Sequence, residues 1–132
     1  MILVDTSVFI NYLRKSDNEK TEQFNEILDK GIPFGINYFI YQELLQGCRT
    51  ERDYKKLKTY LDVQKFYEVK KGRESYAHAA RIYSELRKKG ITVRSTIDCL
   101  IAQMAMEHEL YLLHDDTDFD RIAEFFPLKM WL

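Results

Sequence analysis

A chain of 132 residues, 45% hydrophobic and 31% charged, is one domain over 1–132, too short for two cores and too apolar for disorder. It has no apolar run long enough to span a bilayer and no basic segment before an apolar stretch, so neither a membrane span nor a signal peptide is expected, and a cytoplasmic protein is. The net charge of −1 joins two opposed regions: residues 49–94 carry 14 Lys/Arg against 6 Asp/Glu, and the remainder carries 6 against 15.

Met1-Ile2-Leu3-Val4 is a strand-like run that leads into Asp5-Thr6-Ser7, three helix-capping residue types. Val8, Phe9, Tyr12 and Leu13 then recur at helical spacing, which predicts a first helix ending near Arg14-Lys15. A second helix is expected over 19–30, with Phe24, Ile27 and Leu28 inward and Gly31 as its stop. Residues 33–36 read as a short strand, and Asn37 as the cap of a helix that carries Phe39, Ile40, Glu43, Leu44 and Leu45 and closes at Gly47. A basic helix follows over 52–61, then a strand within 63–69 centred on Phe66-Tyr67.

Residues 74–89 form a long amphipathic helix whose apolar stripe is Tyr76, Ala79, Ala80, Ile82, Tyr83 and Leu86. Residues 96–109 form another, with Ile97, Leu100, Ile101, Met104 and Ala105 inward. Leu110 to Leu113 is a fourth strand, a short helix lies near 119–125, and Leu128 to Leu132 adds an edge strand after Pro127. Cys48 and Cys99 fall inside helical patterns without metal-ligand spacing, which suits reduced thiols. Strands alternating with helices, without hairpin signals, predict an α/β fold with a parallel sheet covered on both faces.

Asp5 and Asp116 each follow a strand-like run. In an open parallel sheet the carboxyl ends of the strands face the crevice where ligands bind. Glu43 sits among Phe39, Ile40, Leu44 and Leu45, and Asp98 stands in the first turn of an apolar helix, so four acids converge on one end of the sheet. Each has an ordinary alternative: Asp5 as a helix cap, Asp98 as the partner of Ser95 in a capping box, Asp115 and Asp116 as turn residues, Glu43 as a solvated position. Together they are costly to bury without a compensating cation, and an oxygen-only donor set suits Mg²⁺ or Mn²⁺. The basic middle segment would meet a phosphate backbone, or it is a set of solvated helix faces. Arg94, just before the Asp98 helix, is a candidate phosphate contact.

Leu3-Val4-Asp5-Thr6-Ser7-Val8, Glu43-Leu44-Leu45-Gln46-Gly47, Ile97-Asp98-Cys99-Leu100-Ile101-Ala102 and Leu113-His114-Asp115-Asp116-Thr117-Asp118-Phe119 resemble, in order, the motifs of PIN-domain proteins, and most of all VapC-type ribonuclease toxins. The resemblance covers nearly the whole length. It implies a Rossmann-like three-layer α/β/α sandwich around a four- or five-stranded, mainly parallel sheet. It also implies a Mg²⁺-dependent endoribonuclease of single-stranded or loop RNA, with Mn²⁺ as substitute, that hydrolyses through activated water and leaves 5′-phosphate and 3′-hydroxyl ends. Carried over by motif, Asp5, Asp98 and Asp116 are the metal ligands and Glu43 completes the catalytic set. Thr6, Ser7 and Asp118 are auxiliary. Asp115 stands where relatives often have a neutral residue.

The resemblance further implies a homodimer and a cognate VapB-like antitoxin that covers the acids. The partner it implies as substrate is an RNA, with a tRNA, a ribosomal RNA and a messenger as the candidates. The first two helices, with Phe9, Tyr12, Phe24 and Leu28, either form a groove for the antitoxin's tail or pack on the sheet. The alternatives are a housekeeping RNA-processing nuclease of the same fold and a non-catalytic RNA- or protein-binding scaffold. A metal-free mechanism would instead use the RNA 2′-hydroxyl with a histidine pair drawn from His78, His108 and His114.

Overall fold

A computed structural model describes residues 1–131. Five strands, β1 (Ile2–Val4), β2 (Phe34–Ile36), β3 (Lys65–Phe66), β4 (Tyr111–Leu113) and β5 (Lys129–Met130), alternate with helices among the described residues. The helices are α1 (Thr6–Leu13), α2 (Glu19–Asp29), α3 (Tyr38–Gln46), α4 (Glu51–Asp62), α5 (Arg73–Lys88), α6 (Thr96–Glu107) and α7 (Thr117–Phe125). The edge strand expected to run to Leu132 is seen at Lys129–Met130, and Leu132 lies outside the described residues.

All strand pairs are parallel, in the order β3-β2-β1-β4-β5. The chain builds outward from β1 in one direction, then returns to its other side for β4 and β5. The order therefore reverses between β1 and β4, and there the connecting segments part to leave a crevice above the carboxyl ends. Right-handed crossovers place α1 to α4 on one face and α5 to α7 on the other. The packing follows that division: α1 meets α2 and α3, α3 meets α4, and α6 meets α5 and α7.

β1 is the middle strand, and its three residues are almost fully buried, Leu3 and Val4 completely. Hence its sequence is a continuous apolar run rather than an alternating one. Under α1 and α2, Phe24 meets Phe9, Tyr12 and Phe34 with ring centroids 4.8, 5.0 and 5.4 Å apart, all edge-on. Phe9 and Phe24 are therefore core residues packed on the sheet. The open groove between α1 and α2 is lined instead by Tyr12, Leu13 and polar residues such as Lys15, Asp17 and Thr21.

Two packing details depart from the sequence pattern. The buried stripe of α5 is Ser75, Ala79, Ile82 and Leu86, whereas Tyr76 is 51% exposed. Ser75 is admitted because its hydroxyl donates to Glu107 at 2.6 Å, and the same carboxylate accepts the Lys70 N–H at 2.9 Å. A polar group so satisfied can occupy a core position, which a hydrophobic-periodicity reading does not anticipate. The strand expected around Phe66-Tyr67 is reduced to two residues, and Tyr67 turns its ring onto Gly35 of β2.

A Cβ at Gly35 would overlap the Tyr67 ring and stand 2.9 Å from the Lys65 carbonyl oxygen. Gly35→Ala is accordingly expected to cost about 1–3 kcal/mol by overpacking. Urea titration should show a lower midpoint with an unchanged slope. No helix among the described residues is long and apolar enough to cross a membrane.

Candidate active site: an acid cluster at the switch point

Three strands end on polar residues that start helices. β1 runs into Asp5, which caps α1 by accepting the Ser7 N–H at 3.1 Å. β2 runs into Asn37, whose side chain caps α3 through the Ile40 N–H at 2.8 Å. β4 is followed by His114 to Asp116, and Asp116 caps α7 by accepting the Asp118 N–H at 3.0 Å. Asp5 and Asp116 thus both cap helices and face the crevice between β1 and β4.

Ser7 fastens the two sides together. Its hydroxyl donates to Asp5 Oδ2 at 2.7 Å and accepts the Asp115 N–H at 2.9 Å. Asp115 points away from the cluster and accepts from Asn11 Nδ2 at 3.1 Å. Thr6 Oγ1 lies 3.5 Å from Glu43 Oε1, which brings α3 to the same rim. Asp98, on the first turn of α6, enters from the opposite face. The capping-box alternative is not realised, since Ser95 makes no side-chain capping bond.

Carboxylate oxygens of Asp98, Asp116 and Asp118 all lie within 4.8 Å of one another. Asp118, ranked from sequence as an auxiliary, stands inside this trio and is 2% exposed. Asp5 flanks the trio, with both of its bonds to Ser7 on Oδ2. The reason for Asp118's position is local. Because Asp116 is the cap, α7 starts at Thr117 rather than near Phe119, and its first turn carries Asp118 inward. Arg94 closes the cluster: its backbone N–H and Nε donate to Asp118 Oδ2 at 3.1 and 3.3 Å, and Nη2 to Asp116 Oδ1 at 3.3 Å.

Burial, joined by like charges at two positions, registers on Asp5, Glu43 and Asp98. Burial, then the charges of Asp5, Asp116, Asp118 and Glu43, push the Asp98 carboxyl from 3.8 up to about 7. Burial raises Asp5 as well, against the lowering effect of its bonds to Ser7. Glu43 is raised by burial and by Asp5. Burial followed by the Asp98 charge pushes the Cys99 thiol to about 11, so this cysteine is an inert packing residue. Carboxylates crowded together in this way, all offering oxygen, make up a donor set that a hard divalent cation such as Mg²⁺ or Mn²⁺ would satisfy.

The histidines do not form a rival site. His108 caps the far end of α6, ten residues and so about 15 Å of helix from Asp98, and bonds the Glu68 carbonyl oxygen. His114 is 4% exposed. Its Nδ1 accepts the Asp116 N–H at 3.0 Å, which places the ring proton on Nε2, 3.3 Å from Asp120. Burial holds its imidazole below the ordinary histidine range, so it braces the turn as a neutral ring. His78 is partly buried on α5.

Comparison with known proteins shows the family and the fold. The PIN domain family model matches residues 2–125. The chain is 32% identical over 130 residues to VapC ribonuclease Mb1587 of Mycobacterium bovis and to ribonuclease VapC11 of Mycobacterium tuberculosis, covering 98% of this chain and 96% of theirs. Among solved structures, VapBC2 of Rickettsia felis, bound to a DNA fragment from its promoter, superposes with a TM-score of 0.72 at 20% identity, over 99% of this chain and 98% of that one. FitAcB of Neisseria gonorrhoeae does so at 0.71 and 21%, over 100% and 97%.

Proposed function

The chain belongs to the PIN-domain family and to its VapC ribonuclease branch, and we propose that it is a divalent-cation-dependent endoribonuclease toxin neutralised by a cognate VapB-like antitoxin. The observation that carries this reading is the trio of carboxylate oxygens within 4.8 Å at the strand-order reversal. Asp98, Asp116, Asp118 and the flanking Asp5 would hold Mg²⁺, or Mn²⁺ in its place. The chemistry such an ion would supply there is Lewis-acid activation of water and neutralisation of charge on the phosphate.

The protein's own groups do the rest. Ser7 fixes the Asp5 carboxylate and the start of the β4–α7 connection in one rigid unit. Glu43, less buried and next to Thr6 at the rim, would orient the attacking water or help hold a second cation. The lysines and arginines of α4 and α5 are nearly all exposed. Lys55 and Lys88 pair only with acids one turn away, which leaves this surface available to a phosphate backbone. The protein would work in the cytoplasm, as a homodimer, on single-stranded or loop RNA such as that of a tRNA.

The test is cleavage of end-labelled tRNA by purified protein free of antitoxin, in Mg²⁺, Mn²⁺ and EDTA. Cleavage that requires the metal and leaves 5′-phosphate and 3′-hydroxyl ends is expected. Cleavage that persists in EDTA, or that leaves 2′,3′-cyclic phosphate, would refute the metal mechanism.

A further inference from the structure

Five carboxylates, Asp5, Glu43, Asp98, Asp116 and Asp118, share the crevice. Among the described residues one side-chain cation, the guanidinium of Arg94, is ion-paired with any of them. Its two acceptors, Asp116 Oδ1 and Asp118 Oδ2, belong to two of the three acids whose oxygens cluster within 4.8 Å. Arg94 therefore neutralises part of the same negative charge that a divalent ion would neutralise.

The attachment is loose at the side chain and firm at the backbone. The Arg94 side chain is 74% exposed, against 3% for Asp118, and each guanidinium bond is single and 3.3 Å long. It is not the forked pair on one carboxylate that makes an arginine hard to displace. The backbone N–H of Arg94 meets Asp118 at 3.1 Å independently of the guanidinium. The side chain can thus leave while Asp118 keeps a donor and its orientation.

We propose that Arg94 is a built-in competitor for the divalent cation: its guanidinium shares Asp116 and Asp118 with the ion, leaves them when the ion binds, and is thereby freed at the mouth of the crevice to meet an RNA phosphate. The inference rests on the metal-dependent ribonuclease reading and adds a regulated order of events to it. An arginine that merely pre-orients the two carboxylates would have the opposite effect, since its loss would weaken metal binding.

The experiment is calorimetric titration of Mn²⁺ into the purified full chain without RNA, for wild type, Arg94→Gln and Arg94→Lys. Arg94→Gln, which removes the charge and keeps a polar chain, is expected to bind ~3- to 10-fold tighter, as the energy of an exposed ion pair allows. Arg94→Lys, which keeps the charge, should stay nearer wild type. Equal or weaker binding by a folded Arg94→Gln overturns the proposal and leaves the nuclease reading intact. Absence of metal binding by wild type and variants alike overturns both.

A second measurement needs no folded variant beyond its use for assignment. The Arg94 Nε–H resonance, identified by its loss in Arg94→Lys, should move as Mg²⁺ is added to wild type. A resonance unmoved at saturation overturns the proposal.

Discussion

Asp98→Asn is expected to reduce RNA cleavage by at least ~100-fold while raising, not lowering, the melting temperature of the metal-free protein at pH 8. Losing even an outer partner of a metal ligand typically costs about 10–100-fold, and Asp98 is a direct member of the oxygen trio. The stability gain follows from the same position. Burial, and after it the charges of four other acids, drive the Asp98 carboxyl up to about 7, so at pH 8 the folded chain holds a charge it disfavours. Asparagine has the same size and leaves no cavity, and it removes the repulsion. A gain of roughly 1–3 kcal/mol is expected, which is on the order of 5–10 °C for a domain of this size. Thermal melts in EDTA at pH 8, beside cleavage assays of the same preparations, check both halves. An inactive variant that melts below wild type would show that Asp98 holds the fold and would remove the electrostatic account.

Much of this site was legible because strand ends and acids coincide. A run such as Ile2-Leu3-Val4 has to be a buried parallel strand, and the residue after it has to stand at the carboxyl edge of the sheet. The sequence alone therefore places Asp5 at that edge, and Asp98 follows from its place in the first turn of an apolar helix. The relative standing of Asp116 and Asp118 was not legible. It depends on which residue caps α7, and a shift of two residues in the start of a helix turns its first turn to a different face. The pairing of Arg94 with both acids joins positions 22 and 24 residues apart through loop geometry that no periodicity encodes. Ser75 likewise gave no signal, because its partner Glu107 lies 32 residues away on another helix.

The metal-free protein should lose stability as pH rises from about 4 to about 7, and Mg²⁺ should restore it. The folded-state value of Asp98, about 7, lies above its ordinary value of 3.8, so the folded chain binds the proton more tightly than the unfolded chain does. Its contribution is therefore fully present below about pH 4 and is lost as the pH climbs through the folded value. Asp5 and Glu43 are displaced in the same direction and add to the trend. Reduced for solvent screening, since Asp98 is only partly buried, its displacement alone corresponds to roughly 1–3 kcal/mol between the two ends of that window. A cation on the acids reverses the balance, since it favours the ionised carboxylates. At a concentration of about 100 times its dissociation constant it contributes ~2.7 kcal/mol to the folded state. The rise in melting temperature on adding Mg²⁺ should thus be large at pH 8, on the order of 10 °C, and small at pH 5, where protons hold the same oxygens. Melting curves at several pH values, with Mg²⁺ and with EDTA, measure this directly. A Mg²⁺ effect equal at pH 5 and pH 8 would mean that the ion binds elsewhere, because an ion on Asp98 cannot avoid competing with the proton that carboxyl holds.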